Sequence, residues 1–335
     1  MTGVGGTRVG GVRVVVLGGG TGSFTVLSAL QHYVDHITAV VNMVDDGGST
    51  GLLRDELGVL PPGDVRQALV ALSLDSGLMR ELMNYRFETG SLGGHSMGNL
   101  LLTAMEKITG SFDEAVQQSC RILAVKGDVV PVTVNDVRLC LTTADGEVVR
   151  GEHLIASSRH EPGRPPRLHL EPPASINPRA AAAIAEADLL VLGPGSLFSS
   201  LIGLALTDGV AEALASTRAR KVFVSNLMTK PGQTDGFCAH DFVDAVERYT
   251  GPVFDHLLFN TQHPGDEVVR RYAEEGEQVV AWDDEAMKGR HWSPIGADLV
   301  SDEHDHQRPG DPLRRTLIRH DSDLLARLLM RLYFS

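Results

Sequence analysis

Cysteine is scarce. The chain has three in 335 residues, Cys120, Cys140 and Cys238, an odd number without a Cys-x-x-Cys pair. That disfavours a disulfide framework or a zinc cluster and fits a reducing compartment. Aromatic residues make up only 5%, so a core must come from Val, Leu, Ile and Ala, which the 42% hydrophobic content allows. No apolar run approaches the ~18 residues of a membrane span. The N-terminal MTGVGGTRVGG lacks an apolar signal core, so residues 1–11 are expected to form a flexible tail. Positive charge is also in deficit: the net charge of −13 would repel a polyanion, which disfavours nucleic acid as a partner. Neither a serine-hydrolase nucleophile elbow nor a P-loop is expected. The default is a cytoplasmic protein with no membrane span.

What is present is an alternation of short β-branched runs and helical spacing. Val12–Leu17 reads as a buried strand, Gly22–Tyr33 as a helix and Ile37–Val44 as a second strand, which makes a βαβ unit with parallel strands. A polar loop is expected over 45–64, with Asp64 capping the helix that follows it. A helical region is expected over about 64–125 and a small antiparallel β meander over about 129–155, turning at Asp145-Gly146. Residues 157–177 read as an irregular crossing. Asn177-Pro178 starts a helix, Asp188–Ser196 is a strand and turn, and 197–216 reads as one helix. Strands follow at Lys221–Ser225, His256–Asn260 and Glu277–Trp282, then a polar insertion over 301–312 and a closing helix over 321–333. The fold class is α/β, a Rossmann-like three-layer α/β/α with a mostly parallel sheet, as a single domain over 12–333.

Ligands of open α/β sheets bind beyond the carboxyl ends of the strands. Three such ends are rich in Gly and polar residues. Gly18, Gly19, Gly20, Thr21 and Gly22 open a helix whose free N–H groups favour an anion. Ser23 stands where a dinucleotide fingerprint has its third glycine, which weakens a nicotinamide reading. Gly193, Pro194, Gly195 and Ser196 repeat the device, and two such turns suit a ligand with two phosphates. At the third end, Asp45 and Asp46 suit a ribose hydroxyl or, with Asp64, Mg²⁺ bound beside phosphate. The plain alternatives are tight turns without ligand, an Asx turn at Asp46 and a helix cap at Asp64. His95 and Asn99 flank a helix start, where His95 is either an acid–base or phosphate-binding group or a satisfied core histidine. Asn226 and Thr229, in NLMTKPGQTDG, follow a strand and are placed to read a base or sugar. Arg54, Arg66 and Arg319 are candidate phosphate forks, and His304 and His306 read as solvated.

The ordered set GGGTGSF, VDDGGSTGLLRDELGVLPPGDVRQALVALS, GGHSMGNLLLTAMEKITG, LGPGSLFSSLI and SNLMTKPGQTDG, with LIRHD near the end, resembles the YvcK-type gluconeogenesis factors. These share a superfamily with the phospholactate transferase CofD. The resemblance implies a Rossmann-like core and cytoplasmic bacterial proteins needed for growth on gluconeogenic carbon and for cell shape. Such proteins bind UDP-sugars, notably UDP-N-acetylglucosamine, with no firm catalytic activity. The CofD branch implies Mg²⁺-dependent transfer of a phosphoryl-linked group from a nucleotide diphosphate carrier. Carried over, Gly18–Gly22 and Gly193–Ser196 line the diphosphate, and Asn226 and Thr229 lie at the same sheet edge. Tyr272 and Arg319 match a tyrosine and an arginine that matter for the UDP-sugar. Asp45 and Asp64 match acids serving Mg²⁺ in the transferase branch. A regulator of this kind needs a protein partner, and a homodimer is a candidate assembly.

Overall fold

A computed structural model of the chain describes residues 9–74, 77–160, 164–301 and 318–335. The expected insertion over 301–312, with His304 and His306, lies outside these residues except for Ser301. So does most of the N-terminal tail.

The strands, in chain order, are β1 (Val9–Gly18), β2 (Val34–Val41), β3 (Asp128–Pro131), β4 (Arg138–Thr142), β5 (Val148–Arg150), β6 (Arg167–Glu171), β7 (Leu189–Leu192), β8 (Arg220–Val224), β9 (His256–Asn260) and β10 (Ser293–Ala297). Seven of them form one parallel sheet in the order β10-β9-β8-β7-β1-β2-β3. β1 is central, with Val14 in register with Ile37 on one side and Leu189 on the other. Its continuous apolar run follows from that position, because a central parallel strand is covered on both faces. Val14 to Leu17 and Leu189 to Leu192 are all buried.

The chain builds the sheet outward from β1 in two directions. It first goes to β2 and β3, then crosses over and proceeds from β7 to β10. Right-handed crossovers running in opposite directions place their helices on opposite faces. Accordingly, helices Gly20–Leu30, Gly63–Leu72 and Ser322–Phe334 pack together, and helices Pro178–Glu186, Val210–Ser216 and Ala239–Thr250 form the other layer. Buried apolar residues from Val12 to Met330 make one continuous cluster. The order of the strands reverses between β1 and β7, which opens a crevice at their carboxyl ends.

Five local expectations change. The stretch 45–64 is not all loop: Gly48–Leu57 is a helix, so the helical region begins at Gly48 and not at 64. Its Gly- and Ser-rich start hides it, but Leu53 and Arg54 are buried, and Gly58 ends it in the left-handed conformation at φ +61°. The meander is β5-β4-β6 over 138–171, not 129–155. β3 joins the main sheet instead, because its apolar Val129 and Val130 pair with β2. The third meander strand, β6, comes from the supposedly irregular 157–177, where only Leu168 and Leu170 of RLHLE face the core. Residues 197–216 are not one helix. The carbonyl of Ser196 accepts from both Ser200 and Leu201, opening a π-helical turn over Leu197–Leu201, and a turn at Gly209 separates Ile202–Ala205 from Val210–Ser216. Glu277–Trp282 makes only isolated bridges, through Val279 and Ala281. The last strand is β10, whose Pro and Gly are tolerated because it is an edge strand.

Candidate functional site

The two Gly-rich turns meet. The turn after β1 leads into helix Gly20–Leu30, and the turn after β7 leads into the π-helical segment. A Cβ on Gly22 would lie 1.8 Å from the carbonyl oxygen of Pro194, so glycine there permits backbone-to-backbone contact. A Cβ on Gly19 would lie 2.1 Å from Oδ2 of Asp64. The helix has no side-chain cap and no acid of its own in its first turn. Asp64 takes that place from another helix: its Oδ1 accepts the Gly20 N–H at 3.0 Å. This corrects the expectation that Asp64 caps its own helix, which starts at Gly63 after Pro62. Thr21 is exposed.

The Gly193–Ser196 turn is held by Asn226 from the end of β8. Asn226 Oδ1 accepts the Gly195 N–H at 3.2 Å, and its Nδ2 donates to the Gly195 carbonyl at 2.9 Å. It fixes the backbone on both sides of Gly195 rather than standing open to a base. Thr229 is similarly used: its N–H donates to the Gln278 carbonyl at 2.7 Å and its Oγ1 accepts the Gln278 N–H at 3.0 Å.

The acids converge from three segments. Asp45 lies beyond β2, separated from it by Asn42, Met43 and Val44, and its Oδ1 accepts the Gly47 N–H at 3.0 Å. The Asx turn therefore belongs to Asp45, not Asp46. Asp46 accepts from the backbone N–H of Glu152 at 3.1 Å and of His153 at 2.8 Å, and so starts the short helix Glu152–Ser157. That helix places Glu152 near Asp45 and Asp64. Burial, reinforced by the negative charge of Asp45 and Glu152, pushes the Asp64 carboxyl up to about 8. Burial also raises Asp45 and Glu152 above the usual carboxylate range, and the neighbouring acids add to this. Lys230 faces Glu152, and burial lowers its pKa.

His95 and Asn99 do come together, around Ser49. His95 Nδ1 lies 3.1 Å from Ser49 Oγ, which also accepts from Asn99 Nδ2 at 3.2 Å. Asn99 Oδ1 in turn accepts from Arg66 Nε at 3.1 Å. Arg66 donates its second bond to Asn84 at 2.6 Å, and burial together with Arg86 pushes it down to about 10. A buried guanidinium held by neutral amides lies two residues from Asp64. Arg54 is different: it donates to the carbonyls of Asp45 and Val137 and to Asp136, and it braces the loop as a structural residue. GHSMG (94–98) does carry the letters of a serine-nucleophile elbow, a spacing the sequence reading passed over. No strand precedes it; Ser96 is buried, and its hydroxyl caps helix Met97–Thr109 by accepting the Asn99 N–H.

Tyr272 and Arg319 belong to one locality. The Tyr272 hydroxyl accepts the Ile318 N–H at 3.3 Å, and the next residue is Arg319. The segments around 300 and 320 pair with each other, and the Asn260 side chain at the end of β9 accepts the Leu299 N–H at 2.9 Å. His320, buried beside the Ser225 backbone at the end of β8, is pushed down to about 4 by burial and is neutral.

Sequence reading missed Glu152, Lys230, Ser49, His320 and Asn42. Asn42 donates to the Ser199 carbonyl at 3.3 Å, while its buried Oδ1 and the buried Ser23 hydroxyl have no hydrogen-bond partner. Such atoms are uncommon. Asn42 was findable as the one amide inside the apolar run Ile37–Val44, and the structure ends β2 just before it, at Val41. Glu152 carried no local signal.

The fold and these contacts define a doubly wound α/β protein with a polar, acid-rich cleft at its strand-order reversal. The sequence profile described as the 2-phospho-L-lactate transferase CofD matches residues 14–300. A Thermotoga maritima protein that carries a gluconeogenesis-factor name is 42% identical over 323 residues, covering 96% of this chain and 99% of that one. The Gluconeogenesis factor of Bacillus subtilis is 38% identical, covering 96% and 98%. A crystal structure of a UPF0052 family member from Bacillus halodurans superposes with a TM-score of 0.86 at 36% identity, covering 95% and 99% of the two chains. The chain belongs to the CofD family and, within it, to the gluconeogenesis factors of UPF0052. Among the described residues no helix is long and apolar enough to cross a membrane.

Proposed function

We propose that the cleft binds a nucleotide sugar of the UDP-N-acetylglucosamine type, and that the protein is a cytoplasmic regulator linking central carbon metabolism to cell wall and cell shape. One observation carries the reading: two Gly-rich turns touch at Gly22 and Pro194, directly above the strand-order reversal. Paired N–H-bearing turns suit a diphosphate, and the helix start at Gly20 favours an anion. Tyr272 and Arg319, at the β8–β9 end of the same edge, are assigned to the sugar nucleotide. Thr21 and Ser196 contribute backbone rather than side chain. The regulator acts through a protein partner, with a second copy of the chain as one candidate.

A second reading has its own observation. Burial raises the pKa of Asp45, Asp64 and Glu152, neighbouring acids add to each shift, and a divalent cation would offset both effects. Their oxygens match the donor set of Mg²⁺, which would neutralise phosphate charge in a CofD-like transfer from a nucleotide diphosphate carrier. Asp45 and Asp64 would hold it.

Calorimetric titration with UDP-N-acetylglucosamine, with and without Mg²⁺, separates the two, with GDP and NAD as controls. Saturable binding that is indifferent to metal and lost in Arg319→Ala is the expected result. Mg²⁺-dependent GDP binding with no response to the UDP-sugar would replace the first reading with the second.

A further inference from the structure

A second chemical cluster lies away from the cleft, on the outward face of the small antiparallel sheet. β4 is its central strand, and Cys140 is in register with Arg150 on β5 and His169 on β6. Glu171 is two residues beyond His169 and so shares its face. Cys140 Sγ, one ring nitrogen of His169 and one oxygen of Glu171 all lie within 4.8 Å of one another.

We propose that Cys140, His169 and Glu171 form a site for a borderline-soft divalent cation, Zn²⁺ by chemistry. Thiolate, imidazole and carboxylate are the zinc donor types, and ligands at ~2.0–2.3 Å from one tetrahedral centre lie roughly 3.3–3.8 Å apart, a small contraction from the present spacing. The two oxygens of Glu171 already have separate roles. Oε2 accepts from Arg150 Nε at 3.0 Å, while Oε1 faces His169 Nε2 at 3.2 Å. Arg150 is thus placed to orient the carboxylate from behind, as outer-shell partners of metal ligands do. Cys140 is fully buried beneath side chains that are about 40% exposed, so an ion can enter from solvent by displacing them only slightly. Three protein ligands leave a fourth position open. Binding exchanges the thiol proton for the metal and releases it to solvent. In the other such group among the described residues, Cys238, His240 and Asp241, two members already have a structural role: Asp241 Oδ2 accepts the Cys238 N–H at 2.7 Å in a helix-capping box.

The test is titration of the full-length, chelator-treated chain with Co²⁺, reading the thiolate-to-cobalt charge-transfer band in the near ultraviolet, followed by displacement with Zn²⁺. One equivalent of Co²⁺ should give the band, Zn²⁺ should abolish it, and Cys140→Ser should lack it while Cys238→Ser keeps it. Glu171→Gln and His169→Gln, near-isosteric changes at half-buried positions, should weaken binding by tenfold or more, with circular dichroism confirming that each variant is folded. Absence of the band in the folded wild-type chain would overturn the proposal. So would a band that survives Cys140→Ser, or unchanged affinity in both Glu171→Gln and His169→Gln.

Discussion

The cleft has two halves built by different physics. The Gly-rich half, from Gly18–Gly22 and Gly193–Ser196, is shaped by backbone contact. Gly22 faces Pro194 with no room for a Cβ, and Asn226 holds both the N–H and the carbonyl of Gly195, in two successive peptide groups. The acidic half, from Asp45, Asp64 and Glu152, is shaped by burial of like charges, with Lys230 and Arg66 in partial compensation. The first half should be intolerant of added atoms and should feel pH only through the Asp64 carboxyl that caps Gly20. The second should tolerate isosteric change and respond to protons and cations. Binding specificity for a diphosphate is thereby assigned to one half and tuning to the other.

The largest expected effect comes from Gly22→Ala. The new methyl must push the two turns apart, at a cost of roughly 1–3 kcal/mol in stability. UDP-sugar binding should fall below detection in calorimetry while circular dichroism still shows a folded chain. Full affinity in this variant would break the comparison.

Asp64→Asn comes next, and its effect depends on pH. Burial pushes the native carboxyl up to about 8, well above its ordinary 3.8. Between these values the folded state holds a proton that the unfolded state has lost, so this group makes stability fall as pH rises from about 4 to about 8, and adds no further slope above that. Thermal melts across this window should show a shallower decline for Asp64→Asn than for the wild type. Parallel curves would remove the acidic half from the account.

Asn226→Ala removes two hydrogen bonds to the backbone of Gly195 and leaves a partly buried turn unbraced. A loss of about 1–3 kcal/mol is expected, divided between stability and nucleotide affinity. Urea unfolding and titration on the same preparation measure both parts. Thr21→Ala should do least, within ~0.5 kcal/mol in stability, because the side chain is exposed and the proposed contact is through backbone. A large loss of affinity would sharpen the picture by moving the Thr21 hydroxyl into the site.

Legibility in the sequence divides along the same line. The strand–turn–helix at Val14–Leu30, the GPGS turn and the helix start at Asn177 rest on neighbouring residues, and they were readable. The family followed from the long motifs, and the α/β class from the alternation of strands and helices. The acidic half was readable only in part. Asp45 and Asp64 stand in a conspicuous segment, but Asp64 crosses to another helix, and Glu152 arrives through a meander whose third strand was taken for irregular chain. Arg54 looked like a phosphate fork but is committed to Asp136 and Val137. Scarcity of cysteine argued against a metal cluster, and nothing local joins Cys140 to His169; only strand pairing does. Charge and register contacts over such separations are tertiary facts, with no period in sequence to announce them.

The central claim is that the touching turns select two phosphates. Titrating the wild-type chain in parallel with uridine, UMP and UDP tests it most directly. The account predicts no measurable binding for uridine, weak binding for UMP and a gain of at least tenfold on adding the second phosphate. Equal affinity for UMP and UDP, or binding of uridine alone, would contradict it.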